Sequence, residues 1–359
     1  MKLLVVGLSL SSSWGNGHAT TYRGLLRAFA RRGHDITFWE WDAPWYRGPH
    51  RDLPQPDFCR LRLYPDWDAV RTEALAEASD ADATLVGSYV HQGPRIIDDL
   101  ADAGVEPLYF YDIDTPVTVA QLRSHEAVSL RPDQVPLFTR YFSFSGGPIL
   151  SDVLREEFGA RDARQLACSV DAERYRPVDP DPEFQADLAY MGTYSADRAA
   201  GMERLFLGPA RSSPDRTFLV AGPQYPDVGD WPGNVRHIDH VEPARHPGFY
   251  SSAKWQLNLT RAAMREAGWS PSVRLFEAAA CAAPILSDQW AGIDELLRPD
   301  TEIVLPGGPD EVAAALAMHP DERRSIGQAA RARVLKEHTK ERRAEQLEDW
   351  LEPLVTRPV

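Results

Sequence analysis

The chain has 359 residues, which is enough for two domains of ordinary size. Its 39 basic and 53 acidic residues give a net charge of −14, and such a surface repels phosphate backbones. The charge therefore argues against a general binder of nucleic acid or of anionic membranes. The three cysteines are far apart and have no metal-ligand spacing, so we expect no disulfide framework and a protein of the reducing cytoplasm.

The first half of the chain alternates strand-like and helix-like segments. Apolar runs predict strands at 3–7, 36–40, 83–87 and 107–111, and helical spacing predicts helices at 20–32 and 95–103. This alternation indicates a parallel sheet with crossover helices. The first apolar run also resembles a short signal peptide, but the glycine loop after it favours a buried strand. No run approaches the ~20 apolar residues that cross a bilayer. The segment 42–66, rich in Pro, Trp and Tyr, is predicted to be an irregular loop.

A glycine-rich loop follows the first predicted strand, and ligands of parallel sheets bind where strands end. In this loop Gly15 and Gly17 let a ligand approach the backbone, and His18 would lie at the mouth of the next helix. Histidine titrates near neutral pH, which suits a general base. A passive histidine in a helix-capping loop is the alternative. The loop is not a dinucleotide fingerprint, because the third glycine is absent.

Two further loops of the first half carry candidate residues. Asp112 and Asp114 follow the strand at 107–111, where a carboxylate can orient sugar hydroxyls or act as a base. We expect only one of the two carboxylates to reach a ligand. Asp114 can instead cap the helix that the next proline begins. Gly146 lies among small residues before another helix, where it would line a ligand site or serve close packing.

The proline-rich segment 176–183 marks the predicted domain boundary, because proline at that density resists both helix and central strand. We therefore expect domains over 1–176 and 183–339. In the second half, strands are predicted at 187–191, 217–221 and 255–259, and helices at 196–206 and from 321 to 354 with a break near residue 338.

Loops after these later strands also carry candidates. Gly192 and Thr193 end one strand, and Arg198 lies in the first turn of the next helix, where the helix dipole disfavours a cation. A diphosphate held between the loop and Arg198 would reverse that penalty, and a surface arginine is the alternative. Asn258 and Arg261 follow another strand and would face the same ligand.

The segment 270–288 is the most informative part of the chain. It predicts a helix that begins at Pro271, with Ser272, Arg274 and Glu277 near its N-terminus. Free N–H groups and an arginine suit a phosphate there, and a carboxylate accepts from two sugar hydroxyls. The set therefore matches a nucleotide diphosphate with its ribose, and an Arg–Glu surface pair is the alternative.

The turn after the next strand extends this motif. Gly292 can present backbone N–H groups to phosphates, and Glu295 can either accept from a ribose hydroxyl or cap a helix. No acidic pair suited to a metal is evident, and arginines with helix ends can neutralise a diphosphate leaving group. We therefore expect neither a metal nor a cofactor.

The motif from Glu277 to Glu295 resembles the nucleotide-sugar site of group-1 glycosyltransferases, in particular the branch related to the spore-maturation protein CgeB. Those enzymes have the GT-B fold, in which two Rossmann-like α/β domains face each other across a cleft. Their last helix crosses back to the N-terminal domain, which we expect here for about 340–359. Trp269 stands where many members carry a further Glu, which leaves the donor sugar open, and Ala283 stands where Gly is commoner.

The resemblance implies transfer of a sugar from a nucleotide diphosphate sugar, a UDP- or TDP-sugar, to a hydroxyl or other nucleophile of a small-molecule or glycan acceptor. In the C-terminal domain, Arg274 and Arg198 would stabilise the leaving diphosphate and Glu277 would hold the ribose. In the N-terminal, acceptor-binding domain, either His18 or Asp114 would take the acceptor proton. Such enzymes serve natural-product or cell-envelope glycosylation, and no nucleic-acid partner is expected.

Two alternatives share the fold. One is a nucleotide-sugar 2-epimerase-like isomerase, which needs no acceptor pocket, and the aromatic segment 42–66 favours transfer because it suits an acceptor wall. The other is a non-catalytic binding protein, which Trp269 permits but Arg274 and Glu277 argue against. The stereochemical outcome and the oligomeric state stay open.

Overall fold

The computed structural model describes residues 1–14, 17–226 and 228–351, and the chain divides into two compact units. Unit 1 contains Met1–Ala167 and the described residues from Lys340 onward, and unit 2 contains Cys168–Thr339. Within the described ranges, no helix is both long and apolar enough to cross a membrane.

Unit 1 is built on seven parallel strands, β1 (Lys2–Gly7), β2 (Asp35–Trp41), β3 (Arg60–Tyr64), β4 (Ala83–Gly87), β5 (Leu108–Asp112), β6 (Arg140–Ser143) and β7 (Ala163–Gln165). Their order in the sheet is β3-β2-β1-β4-β5-β6-β7. The central strands β4 and β5 are buried throughout, because helices cover both faces of a sheet with crossover connections.

The helices of unit 1 are α1 (His18–Arg31), α2 (Trp67–Ser79), α3 (Gly93–Asp102), α4 (Thr115–Ser124), a π-helix at Ile149–Glu157, and the last helix of the chain, α13 (Lys340–Leu351). Leu347 and Leu351 of α13 lie in one apolar cluster with Leu26 of α1. The predicted return of the last helix to the N-terminal unit is therefore confirmed for Lys340–Leu351, and residues 352–359 of that prediction lie outside the described residues.

The predicted strands and helices of the first half are confirmed, with one exception. The loop predicted over 42–66 is wrong at its end, because β3 adds an edge strand that pairs with β2. In β3 arginines alternate with leucines, as suits a partly exposed edge strand, and the neighbouring prolines obscured that short pattern.

Unit 2 is built on five parallel strands, β8 (Leu188–Met191), β9 (Phe218–Ala221), β10 (Val235–Ile238), β11 (Trp255–Asn258) and β12 (Ile285–Ser287). Their order is β10-β9-β8-β11-β12, so the chain adds strands first to one side of β8 and then to the other. The carboxyl ends of β8 and β11 flank this switch point, which is where such sheets bind ligands.

The helices of unit 2 are α5 (Ala199–Met202), α6 (Gly208–Ser212), α7 (His246–Ser252), α8 (Ala262–Ala267), α9 (Val273–Ala280), α10 (Ile293–Leu296), α11 (Pro309–Ala317) and α12 (Pro320–Glu337). The single helix predicted at 196–206 is instead a 3-10 turn, α5 and a π-helix. Helix α9 begins two residues after Pro271, since Ser272 keeps the extended backbone of an N-cap residue.

The division between the units falls between Ala167 and Cys168, before the proline-rich segment 176–183. The intervening residues belong to unit 2, where Val170 pairs with Thr339. The acceptor-binding and donor-binding roles of the two halves stay predictions.

Candidate active site

Asn258 joins the elements that meet at the carboxyl edge of the unit 2 sheet. This last residue of β11 is buried, and its Oδ1 accepts hydrogen bonds from Ser272 Oγ at 2.9 Å and from Arg274 Nη1 at 3.2 Å. Its Nδ2 donates to Ser287 Oγ at 2.9 Å, at the end of β12. Three of the predicted residues, Asn258, Ser272 and Arg274, are thus brought together at the N-terminus of α9.

Arg274 is also fixed against the end of β8. Its Nε donates to the carbonyl oxygen of Met191 at 2.5 Å, and its guanidinium carbon lies 5.1 Å from the ring centroid of Tyr190. A Cβ on Gly192 would come 2.8 Å from Arg274 Nη2, so a side chain there would displace the tip of this arginine. An arginine held at a helix N-terminus is suited to a phosphate group.

The other two predicted arginines lie around the loop after β8. Arg198 donates to the carbonyl oxygen of Thr193. Arg261 lies 3.7 Å from the carboxylate of Asp197, which also accepts from the backbone N–H of Ala262 at 2.9 Å. These contacts tie Arg261, at the start of α8, to the short 3-10 turn Ala196–Arg198 that contains Arg198.

Glu277 lies on the buried side of α9 and is 8% exposed. Its carboxylate accepts a hydrogen bond from Tyr250 Oη at 2.9 Å. Burial, followed by the negative charge of Glu277, raises the pKa of Tyr250 well above its usual value. As a ribose ligand, Glu277 would share its oxygens with this tyrosine.

The turn at Gly292 is covered by Trp269. Gly292 has a left-handed backbone, φ 88°, and a Cβ there would come 2.4 Å from the indole ring. The backbone N–H of Trp269 donates to the carbonyl oxygen of Ala291 at 2.6 Å. Glu295 is exposed on α10.

Asp288 is a buried carboxylate of this site that sequence reasoning missed. Thr260 donates to it from both its backbone N–H, at 3.1 Å, and its Oγ1, at 3.0 Å. Burial raises the pKa of Asp288, although the hydrogen bonds from Thr260 oppose that shift. The only sequence signal was its place directly after β12.

A pocket of about 310 Å³, with four aromatic side chains in its lining, lies beside Arg198 in unit 2. Tyr225 Oη donates to the carbonyl oxygen of Gly192 at 2.9 Å, and Tyr190 lies under Arg274, so the pocket adjoins the arginine cluster. The residues that line it include Tyr190, Tyr194, Arg198, Met202, Tyr225 and Trp231.

In unit 1, Asp112 at the end of β5 is completely buried. It accepts hydrogen bonds from Tyr141 Oη at 2.6 Å, Thr118 Oγ1 at 2.9 Å and the backbone N–H of Asp114 at 3.1 Å. Burial raises the pKa of Asp112 to about 6, although these hydrogen bonds lower it. Asp112 therefore supports the loop that carries Asp114.

Tyr89 contacts both candidate bases, and sequence reasoning missed it. Its Oη donates to Asp114 Oδ2 at 3.1 Å, and its ring meets the His18 ring edge-on, with centroids 5.4 Å apart. His18 is the first residue of α1, and burial lowers its pKa to about 4. The Nδ1 of His18 has no hydrogen-bond partner among the described residues.

Glu40, a second residue that sequence reasoning missed, holds the loop after β1. This fully buried carboxylate accepts from the backbone N–H groups of Leu10, at 2.6 Å, and Ser11, at 2.8 Å. The loop is thereby fixed before it reaches His18. In the sequence, the feature that could have indicated this role is the position of Glu40 near the end of an apolar strand.

The three predicted acceptor-side glycines differ in their surroundings. Gly15 lies outside the described residues. A Cβ on Gly17 would meet no atom of the described residues within 4 Å. A Cβ on Gly146 would come 2.3 Å from Gln165 Oε1, so close packing accounts for that glycine.

Across the described ranges, no group of three or more His, Cys, Asp or Glu side chains is arranged to hold a metal ion. Metal independence stays a prediction.

Three solved structures are similar to nearly the whole chain. An alpha-glucosyltransferase in complex with UDP-glucose and DNA containing an abasic site has 12% identity and a TM-score of 0.72, over 98% of this chain and 100% of that one. HepE from Anabaena in complex with UDP and glucose has 14% identity and a TM-score of 0.68, over 99% of this chain and 100% of that one. AviGT4, a glycosyltransferase involved in avilamycin A biosynthesis, has 18% identity and a TM-score of 0.59, over 99% of this chain and 98% of that one. At such identities the likeness shows the fold, which is GT-B.

Residues 198–349 match the family described as glycosyl transferase-like. A search of curated proteins finds no match. The similar structures show the GT-B fold for nearly the whole chain, whereas the family match is limited to residues 198–349.

Proposed function

We propose that the protein moves a sugar from a nucleotide diphosphate sugar to a hydroxyl, or another nucleophile, of a small-molecule or glycan acceptor. The observation that carries this proposal is the convergence of Asn258, Ser272 and Arg274 at the N-terminus of α9. The similar HepE structure holds UDP, which supports UDP or the closely related TDP as the nucleotide.

In the proposed reaction the bond between the sugar carbon and the diphosphate oxygen breaks, and the diphosphate leaves with the electron pair. Arg274 and Arg198 stabilise the charge that grows on it. The acceptor oxygen bonds to the sugar carbon and gives its proton to His18 or Asp114. The finer assignment to the CgeB-related branch rests on the motif between Glu277 and Glu295.

The acceptor side is supported by an aromatic cluster at the end of β2. Trp41 stacks on His91 with centroids 3.9 Å apart, and Trp45, which is 53% exposed, meets Trp41 edge-on. This surface favours transfer over isomerisation, and the net charge of −14 favours an acceptor other than nucleic acid.

Calorimetric titration with UDP, TDP, GDP and ADP tests the donor site. We expect one diphosphate to bind, and R274A to weaken its binding at least tenfold, or about 1.4 kcal/mol. The matched control is R324A on α12, whose arginine side chain is 70% exposed, and it should bind like the wild type. Binding of none of the four nucleotides would contradict the proposal. So would epimerisation of the bound nucleotide sugar with no acceptor present.

A further inference from the structure

Tyr89 adopts a backbone conformation that is uncommon for tyrosine. It follows β4 with φ 61°, in the left-handed region. Its backbone N–H donates to Ser129 Oγ at 3.0 Å, which helps to hold this conformation. Local strain of this kind persists only where the surrounding structure enforces it, and it concentrates at functional sites.

The hydroxyl of Tyr89 orients the carboxylate of Asp114. Asp114 is the N-cap residue of α4, but its side chain makes no capping hydrogen bond there. Its Oδ2 instead accepts from Tyr89 Oη at 3.1 Å, while its backbone N–H is held by Asp112. The tyrosine and the buried aspartate thus fix Asp114 from two sides.

The ring of Tyr89 covers His18 on the other side. The two rings meet at 82°, with centroids 5.4 Å apart. The other titratable groups of this network are Asp112 and Tyr141, which are hydrogen bonded to each other, and Tyr22, which feels the charge of Asp112.

We propose that Tyr89 is a positioning residue for removal of the acceptor proton: its hydroxyl orients the Asp114 carboxylate, and its ring shields the His18 imidazole from water. This inference rests on the proposed function, since the acceptor loses a proton only when a sugar is transferred to it.

A double-mutant cycle tests the first part, with water as acceptor and release of UDP from UDP-glucose as the readout. We expect Y89F to lower kcat at least about tenfold with an unchanged KM, since a hydrogen bond to a charged group is lost. D114N should lower kcat at least as much as Y89F does. The Y89F/D114N double variant should lower kcat no more than D114N alone, because the two residues act as one unit. Y64F is the matched control, because the buried Tyr64 hydroxyl has no partner in the described part of the chain.

NMR titration of the His18 ring tests the second part and needs no turnover. We expect Y89A, which removes the shielding ring, to raise the pKa of His18 from about 4 towards 6.5. Wild-type kcat in Y89F, additive losses in the cycle, or an unchanged His18 pKa in Y89A would each overturn the inference. Failure of the wild type to bind any nucleotide would instead overturn the proposed function.

Discussion

His18 is partly buried and Asp112 fully buried in unit 1, and this burial shifts their pKa values in opposite directions. It disfavours the charged form of each group, so it lowers the pKa of His18 to about 4 and raises that of Asp112 to about 6. Between pH 6.5 and 4 the unfolded chain binds a proton at His18 that the folded chain does not. Between pH 6 and 3.8 the folded chain binds a proton at Asp112 that the unfolded chain does not.

These shifts predict opposite effects of two variants on acid stability. On acidification His18 lowers the free energy of unfolding and Asp112 raises it. We therefore expect H18Q to lose stability less steeply than the wild type from pH 6.5 to 4, by up to about 1.4 kcal/mol per pH unit. D112N should lose stability more steeply than the wild type from pH 6 to 3.8. Urea unfolding at several pH values measures both slopes. H319Q, at an exposed histidine, is the control, and equal slopes in all variants would contradict the assignment.

The candidate residues that sequence reasoning found are those whose position along the chain is informative. Ser272 and Arg274 begin a helix, and Asn258 ends a strand, so pattern alone places them at the binding edge of a parallel sheet. Tyr89 and Glu40 depend instead on contacts with residues distant in sequence, such as Asp114 and Leu10. No local pattern encodes such contacts.

At the scale of elements, the turns after β8 and β9 touch through their backbones. Gly222, with φ 145°, lies so close to Gly192 that a Cβ on Gly222 would come 2.1 Å from the Gly192 carbonyl oxygen. Any side chain at Gly222 would displace the loop that faces Arg274.

G222A is therefore expected to lower the free energy of unfolding by more than about 1 kcal/mol, through backbone strain and this clash. It should also weaken nucleotide binding, because the Gly192 loop moves. Urea unfolding and nucleotide titration measure the two effects. G229A is the matched control, since a Cβ on Gly229 would have no neighbour within 4 Å in the described part of the chain. Equal stability of the two variants would show that the turns tolerate a side chain.

Elements with strong periodicity were predictable, and interrupted ones were not. Helix α1 carries an uninterrupted apolar stripe, whereas the predicted helix at 196–206 changes hydrogen-bonding pattern twice. Its residues keep helical spacing through all three patterns, so periodicity could not separate them.

At the scale of the whole molecule, unit 1 is assembled from both ends of the chain. Helix α13 supplies Ala344, Leu347 and Leu351 to a core cluster whose other members come from residues 3–166. The apolar face of α1 is therefore covered only when the last helix is in place.

L347A is expected to lower the free energy of unfolding by about 2–5 kcal/mol, because it leaves a cavity in this core. E341A, at an exposed position of the same helix, should change it little. Urea unfolding compares the two variants. A loss in L347A no larger than in E341A would mean that α13 contributes no packing to unit 1.

The architecture was predictable because short apolar strands alternate with helices through both halves of the chain, and that pattern admits few folds. The division between units was placed at the prolines of 176–183, whereas the structure places it after Ala167. Prolines mark where regular structure is interrupted, but the contact of Val170 with Thr339 decides to which unit a segment belongs.

The discontinuity of unit 1 has a consequence for synthesis on the ribosome. Unit 2 is one contiguous stretch, so it can fold as soon as it has emerged. The first segment of unit 1 emerges before unit 2 but lacks α13 until all of unit 2 has been made, so the apolar side of α1 stays uncovered until then. The first segment of unit 1 is therefore synthesised before unit 2, but unit 1 can complete its fold only after unit 2 has been made. A nascent chain stalled before Lys340 would present the uncovered apolar face of α1 to chaperones.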